Sequence, residues 1–312
     1  MVQPAHSLET TTTQSTSLEV AYAECERLAG RDKPHLYAAA SLFERPQVRR
    51  AFVATYASMR LIDDLIDGIS NRSSISVGRQ AFEMGRVQSW LELVRAAKVG
   101  DVSAGMTWTA LADTFAHFDL PLDPWANLAI AMQTDVMVSS FKTWDELRGY
   151  MQGASVAPAV IFMYLVLMRP DAHGKFGTSW NYTQVYEATE DLAIFCYCVH
   201  ILRDVAEDLT LGVSGLVYLP EEELSRFGIG VADLHAMRES GMATDDYRQM
   251  ACSMADRARQ HLGCGRKRMP AVLRDAEPSN GKALMTLIDT YERILNDLQD
   301  REFDVFSTTA GR

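Results

Sequence analysis

RLIDDLID, residues 60–67, follows the helix-forming and mostly apolar stretch VRRAFVATYASM. Asp63 and Asp67 are one helical turn apart, so their carboxylates stack on one face, with Arg60 a turn before Asp63. Stacked carboxylates repel each other, and one such cluster alone could be a solvated acidic stripe answered by Arg60. The same device returns far along the chain. HILRDVAED, residues 200–208, follows the apolar LAIFCYCV and sets Asp204 and Asp208 a turn apart, with His200 a further turn back and Arg203 placed to pair with Glu207. Both clusters emerge from helices too apolar to lie on the surface. Two carboxylate pairs facing each other across a helical core need cations between them, and hard oxygen ligands suit Mg²⁺, which completes its shell with water and phosphate. The expectation is a cavity whose two acidic walls hold a diphosphate through bridging metal ions.

Outward from these stretches, apolar residues recur at helical spacing while alternating strand-like runs are scarce, which indicates an all-α chain. The pattern predicts helices at 17–29, 46–69, 76–98, 104–118, 124–140, 144–168 with a break near Pro158, 182–211, 242–265 and 281–300. Short helices are expected at 221–226 and 231–239. Start signals support several of these: Asp123 before Pro124, Thr143 with Glu146, and Asn181 with Gln184. Residues 68–76, 170–181, 212–220 and 270–281 read as loops from their Gly, Pro, Ser and Asn content. No long linker or internal repeat divides the chain. It reads as a disordered polar tail at 1–17, one helical bundle around a central cavity at 18–306, and a short tail at 307–312.

Charge narrows the function. The 312 residues carry 30 Lys and Arg against 41 Asp and Glu, a net charge of −11, which disfavours binding to a nucleic-acid backbone. With 47% hydrophobic residues there is material for a large core. Cys25, Cys196, Cys198, Cys252 and Cys264 form no CxxC pair and leave one unmatched in any disulfide scheme, as expected of reduced thiols in a cytoplasmic protein. The N-terminus lacks the basic and apolar regions of a signal peptide. The apolar run from Ala154 to Met168 is shorter than the roughly 20 residues that span a bilayer, contains Pro158, and reads as a buried core helix.

The order R-x-x-D-D-x-x-D at Arg60–Asp67, M-x-x-D at Met132–Asp135, and R-D-x-x-E-D at Arg203–Asp208 followed by Tyr218-Leu219-Pro220 resembles the squalene/phytoene synthase family. RRAFVATYASMR, TWDEL at 143–147 and YERILNDLQDREFDVF at 291–306 are similar to family segments, so the resemblance runs from about Tyr22 to Phe306. It implies an isoprenoid-synthase fold that ionises an allylic prenyl diphosphate with two to three Mg²⁺ ions. Carried over residue by residue, Asp63 and Asp67 would ligate metal on one wall and Asp204 and Asp208 on the other, and Arg60 and Arg203 would neutralise the diphosphate. Tyr56 matches a family tyrosine near the reacting end, and Asp135, of the M-x-x-D motif, is a candidate substrate-binding residue. Phe52, Tyr56, Phe162, Phe195 and Tyr197 are candidate aromatic liners for an allylic cation. A reductive step with NADPH is implied by analogy alone, and no GxGxxG supports a Rossmann domain.

The sequence departs from the family in places. The Ser-rich diphosphate segment is replaced by Lys33-Pro34-His35-Leu36-Tyr37, which supplies a different donor set. His200 stands where asparagine is usual, as a further candidate ligand or phosphate donor, although Mg²⁺ prefers oxygen. Tyr197 stands in place of glutamine and Gln152 in place of tyrosine. LTLGVSGLV, between Asp208 and Tyr218, holds no Lys or Arg. Two enzyme readings follow: head-to-head condensation of two prenyl diphosphates, and transfer of one prenyl group to an aromatic acceptor. A non-catalytic assembly factor of the same fold is third, since it has no reason to keep both carboxylate pairs. Chain-elongating synthases fit DDxxD but not the continuation GISNR, and terpene cyclases do not carry RDVAED. Peripheral contact with a membrane would serve release of an apolar product.

Overall fold

The computed structural model describes residues 6–31, 34–69, 76–209 and 217–307. In chain order the helices are α1 His6–Ala29, α2 His35–Ala40, α3 Pro46–Asp67, α4 Val77–Lys98, α5 Met106–His117, α6 Asp123–Met137, α7 Trp144–Met151, α8 Ala157–Leu167, α9 Tyr182–Asp208, α10 Glu221–Arg226, α11 Val231–Ser240, α12 Asp245–Arg266, α13 Met269–Asp275 and α14 Pro278–Asp300. A π-helical turn, Gln152–Val156, joins α7 to α8. The only regular strands among the described residues, β1 Arg169–Pro170 and β2 Phe176–Gly177, form one small antiparallel pair. The all-α reading is therefore correct.

α8 and α9 form the centre because they are apolar around most of their circumference, and the amphipathic α3 packs its apolar side against α8. α8 is buried at nearly every position, and α9 buries twelve of its residues, including Phe195 and Val199. α12 crosses α9 at Gly265, where an added Cβ would lie 2.6 Å from Leu192 Cδ2. α6 crosses the π-turn at Gly153, where a Cβ would overlap the Asn127 carbonyl oxygen and lie 2.6 Å from Ala131 Cβ. Trp90 of α4 and Trp125 of α6 converge on Ser58 of α3: one indole donates to the Ser58 carbonyl at 2.7 Å, the other to its hydroxyl at 3.1 Å. These bonds fix the level at which the three helices pack.

Asn181 forms the expected capping box with Gln184, whereas Thr143 accepts from the Glu146 N–H but Glu146 reaches back to Lys142 N, and Asp123 lies inside α6 behind its N-cap Leu122. Two helix starts led by proline lie in the stretch 270–281 that reads as a loop, and a third precedes a helix that the sequence pattern does not predict. Pro34 is the N-cap of α2, and Pro270 and Pro278 occupy the first turns of α13 and α14. A proline there loses no hydrogen bond, since first-turn N–H groups have no intrahelical acceptor. α1 begins at His6, well before residue 17. The stretch Trp144–Leu167 is long and apolar enough to cross a membrane, but 72% of its most apolar window is buried inside the bundle, as a core helix requires.

Candidate active site

A cavity of about 1020 Å³ runs into the bundle between α3, α6, α8, α9 and α14. α3 contributes Tyr56, Met59, Arg60, Asp63 and Asp67 to its wall, positions that fall on one helical face. α9 contributes Cys196, Tyr197, His200, Arg203 and Asp208 from the facing side. Its polar end is thus bounded by acids from both helices, and its depth by Phe162, Met163, Leu284 and Ile288.

The two acidic walls sense each other. Burial, with Asp204, Glu207 and Asp67 as like charges, pushes the Asp208 carboxyl up to about 7. Asp67 comes from α3, so its field crosses the cavity. Arg60 bridges Asp63 at 3.4 Å and Asp64 at 2.9 Å, and Asp64 also pairs with Arg31. On α9 the predicted Arg203–Glu207 pair gives way to a stronger one. Arg203 holds both oxygens of Asp204 at 2.6 Å, because the adjacent carboxylate accepts its planar fork bidentately. Asp204 also lies 3.1 Å from His200 Nε2 and is drawn off the cavity wall. His35 Nε2 sits 3.3 Å from Arg203, and its ring meets Tyr291 edge-on at 5.5 Å. Burial lowers the pKa of both His35 and His200, so both rings are neutral at pH 7.

Of the residues expected at the site, Arg60, Asp63, Asp67, Tyr56, Asp135, Tyr197, His200, Arg203, Asp208 and His35 line the cavity. Tyr56 stacks on Phe52 at 5.3 Å, and burial pushes its hydroxyl up to about 12. Phe162 lines the cavity, while Phe52 and Phe195 pack behind it in the core. Lys33 lies outside the described residues, as do residues 210–216 of the segment without Lys or Arg. Two more of the expected residues do not line the cavity. Tyr37 turns away and donates to Glu26 at 2.6 Å beside Arg49. Gln152 faces a separate groove of about 530 Å³, where it accepts from Tyr186 and donates to Glu190. The π-turn is the cause: its extra residue rotates the following side chains, so Ala154 and Ser155 face the cavity instead.

The sequence reading missed Tyr150, Tyr218 and Tyr291, all on the cavity wall. The Tyr150 ring centre lies 6.2 Å from that of Tyr197 and 5.8 Å from that of Tyr218, and its hydroxyl donates to Asp135 Oδ2 at 3.0 Å. Tyr150 was legible only as a residue on the buried face of α7.

No three His, Cys, Asp or Glu side chains among the described residues lie in a ready metal-holding group. The donor chemistry nonetheless fits a hard cation. Asp63, Asp67 and Asp208 offer oxygen from both walls, and the raised Asp208 marks negative charge without enough positive charge beside it.

The helical bundle and its cavity with acids from two facing helices match the arrangement that the sequence resemblance implies. The family model for squalene/phytoene synthase matches residues 31–312, and the chain belongs to that family. Phytoene synthase 1, chloroplastic, of Solanum lycopersicum is 30% identical over 265 residues, 85% of this chain and 58% of that protein. The 15-cis-phytoene synthase of Synechocystis is 28% identical over 94% of this chain and 81% of its own. The crystal structure of squalene synthase HpnC from Alicyclobacillus acidocaldarius has a TM-score of 0.72 at 22% identity, covering 92% of this chain and 96% of that one, which shows the shared fold. The chain thus spans under two thirds of the tomato protein's length.

Proposed function

We propose that this chain ionises an allylic prenyl diphosphate with Mg²⁺ and joins the resulting cation to a second prenyl diphosphate head to head, giving a squalene- or phytoene-like product. The facing of Asp67 and Asp208 across one cavity carries this reading. Asp63, Asp67 and Asp208 would hold the metal, with Asp204 joining them once Arg203 turns to the diphosphate. Bound there, Mg²⁺ supplies Lewis-acid stabilisation of the departing diphosphate.

The chain's own residues do the rest. Arg60 and Arg203 line the acidic end of the cavity and would turn donors to the leaving group as it collects charge. His200 and His35 flank Arg203 and hold its fork at the cavity rim. Tyr56 and Phe162 present aromatic faces to the cation, and Leu284 and Ile288 keep the depth dry for the prenyl tail.

Transfer of one prenyl group to an aromatic acceptor is a second reading. Supporting it, the sequence from Leu209 to Val217 holds no cation, both cavity arginines already bond acids, and Tyr150, Tyr197 and Tyr218 gather beside Asp135. A reductive step with NADPH rests on analogy alone. Peripheral contact with a lipid surface would suit α4, where Val77 and Phe82 are exposed and Arg79 and Arg86 lie 5.5 and 5.9 Å from the Phe82 ring.

The test is pyrophosphate release from farnesyl, geranylgeranyl and dimethylallyl diphosphates with and without Mg²⁺. Metal-dependent release from one of them alone, with a coupled hydrocarbon product, is expected. Consumption only when an aromatic acceptor is added would displace head-to-head coupling. No consumption of any of the three would end the enzymatic proposal.

A further inference from the structure

Two glycines stand in the last turns of α12, and only a packing reason distinguishes them. Glycine inside a helix costs about 1 kcal/mol against alanine. At Gly263, which is exposed, an added Cβ would meet nothing within 4 Å. At Gly265, which is buried against α9, a Cβ would lie 2.6 Å from both Cγ and Cδ2 of Leu192 and 3.2 Å from its backbone nitrogen. The branch of Leu192 therefore occupies the space that a side chain at 265 would fill.

Leu192 has a second neighbour, because it also lines the cavity. It stands on the flank of α9 between that cavity and α12, twelve residues before Asp204 and so roughly 18 Å along the helix from the acidic end. This is the depth where the far end of a prenyl tail would lie. The other α9 residues of that wall, Thr189, Ala193 and Cys196, are small, so Leu192 is the bulkiest side chain of α9 at that level. How far it leans toward α12 decides how much width the tail finds.

We infer that Gly265, on the reading of this cavity as a prenyl diphosphate site, is a positioning residue for substrate selection: by letting Leu192 lean out of the cavity it sets the length of tail that the cavity accepts. Gly265 lies outside the cavity lining and acts through Leu192 alone. A methyl group at 265 must displace the leucine branch. The interior behind Leu192 is close-packed and the cavity in front of it is empty volume, so the branch swings inward. Misfit of a single methylene in an apolar pocket changes selection by about 10- to 200-fold, and a displaced isobutyl branch reaches at least that scale for a tail long enough to meet it. A tail that ends above Leu192 is unaffected.

The test is isothermal titration of the whole chain in Mg²⁺ with thiolo analogues of geranyl, farnesyl and geranylgeranyl diphosphate, with melting temperature as the check on folding. Gly265→Ala is expected to weaken the longest analogue that wild type binds by about ten- to a hundredfold, while the shortest stays within about threefold. Adding Leu192→Ala to that variant should return the longest analogue to within a few fold of wild type, because no branch remains to be displaced. Gly263→Ala, on the same helix but in open space, should change neither. Equal weakening of every analogue, or a loss that Leu192→Ala does not relieve, would make Gly265 an ordinary packing glycine and overturn the inference while leaving the proposed function standing. Should Gly265→Ala fail to fold, Leu192→Ala alone decides: it is expected to admit an analogue one isoprene unit longer than wild type takes, and unchanged selection would overturn the inference. Failure of the wild-type chain to bind any analogue would remove the prenyl diphosphate proposal itself.

Discussion

Replacing Asp208 by Asn is expected to stabilise the metal-free protein while destroying its activity. The Asp208 carboxyl titrates near pH 7 in the fold, against 3.8 for an unperturbed aspartate, because burial and the charges of Asp204, Glu207 and Asp67 oppose its ionisation. The shift is about 3 units, and at about 1.4 kcal/mol per unit it caps the destabilisation at roughly 4 kcal/mol. Relaxation and partial solvation of the site bring the expected gain of the variant to about 2 kcal/mol, or roughly 4 °C in melting temperature for a chain of this size. The sign follows from proton linkage. The folded state holds the extra proton between pH 4 and 7, so wild-type stability falls across that window, and the asparagine variant is spared the fall. Thermal melts in EDTA from pH 4 to pH 8 should show the two proteins equal at pH 4 and the variant ahead at pH 8. A variant no more stable than wild type at pH 8, or a gap that ignores pH, would refute the electrostatic coupling of the two walls.

Other perturbations have equally definite outcomes. Gly153→Ala forces a Cβ into the Asn127 carbonyl and is expected to destabilise the fold by about 2 kcal/mol or more in chemical denaturation, against the usual helix preference for alanine. Gln152→Ala should leave kcat and KM within about twofold, since the side chain faces the outer groove; a loss of tenfold or more would contradict that placement. Arg203→Ala should raise KM for the prenyl diphosphate by ten- to a hundredfold, in keeping with about 1.5–3 kcal/mol for a hydrogen bond to a charged group. His200→Asn should keep activity within a few fold, with its effect confined to KM through the loosened Asp204. An equal fall in kcat and kcat/KM would instead make the ring a participant in the transition state.

The walls of the cavity were legible because helical spacing carries them: Asp63 with Asp67, and Asp204 with Asp208, stack by geometry alone, and apolar flanks say that their helices are buried. Partners were less legible. Arg203 chooses Asp204 over Glu207 through the side-chain geometry of adjacent residues, which spacing does not encode. Gln152 was expected at the site because it stands where the family commonly has a tyrosine, but it opens a π-turn and its side chain lines the outer groove. α13 and the start of α14 were hidden by Pro270 and Pro278, which signal a loop and a first helical turn equally well. Tyr150 gave no warning, since an aromatic residue on the buried face of an amphipathic helix is ordinary core until Asp135 is seen 3.0 Å from its hydroxyl.

Isothermal titration of the whole chain with a non-hydrolysable thiolo analogue of the accepted prenyl diphosphate, in Mg²⁺ and in EDTA, tests the two-walled site most directly. Tight binding in Mg²⁺, lost in EDTA and weakened at least tenfold by either Asp67→Asn on α3 or Asp208→Asn on α9, is the predicted result. Binding that is equal in EDTA, or that responds to only one of the two walls, would contradict it.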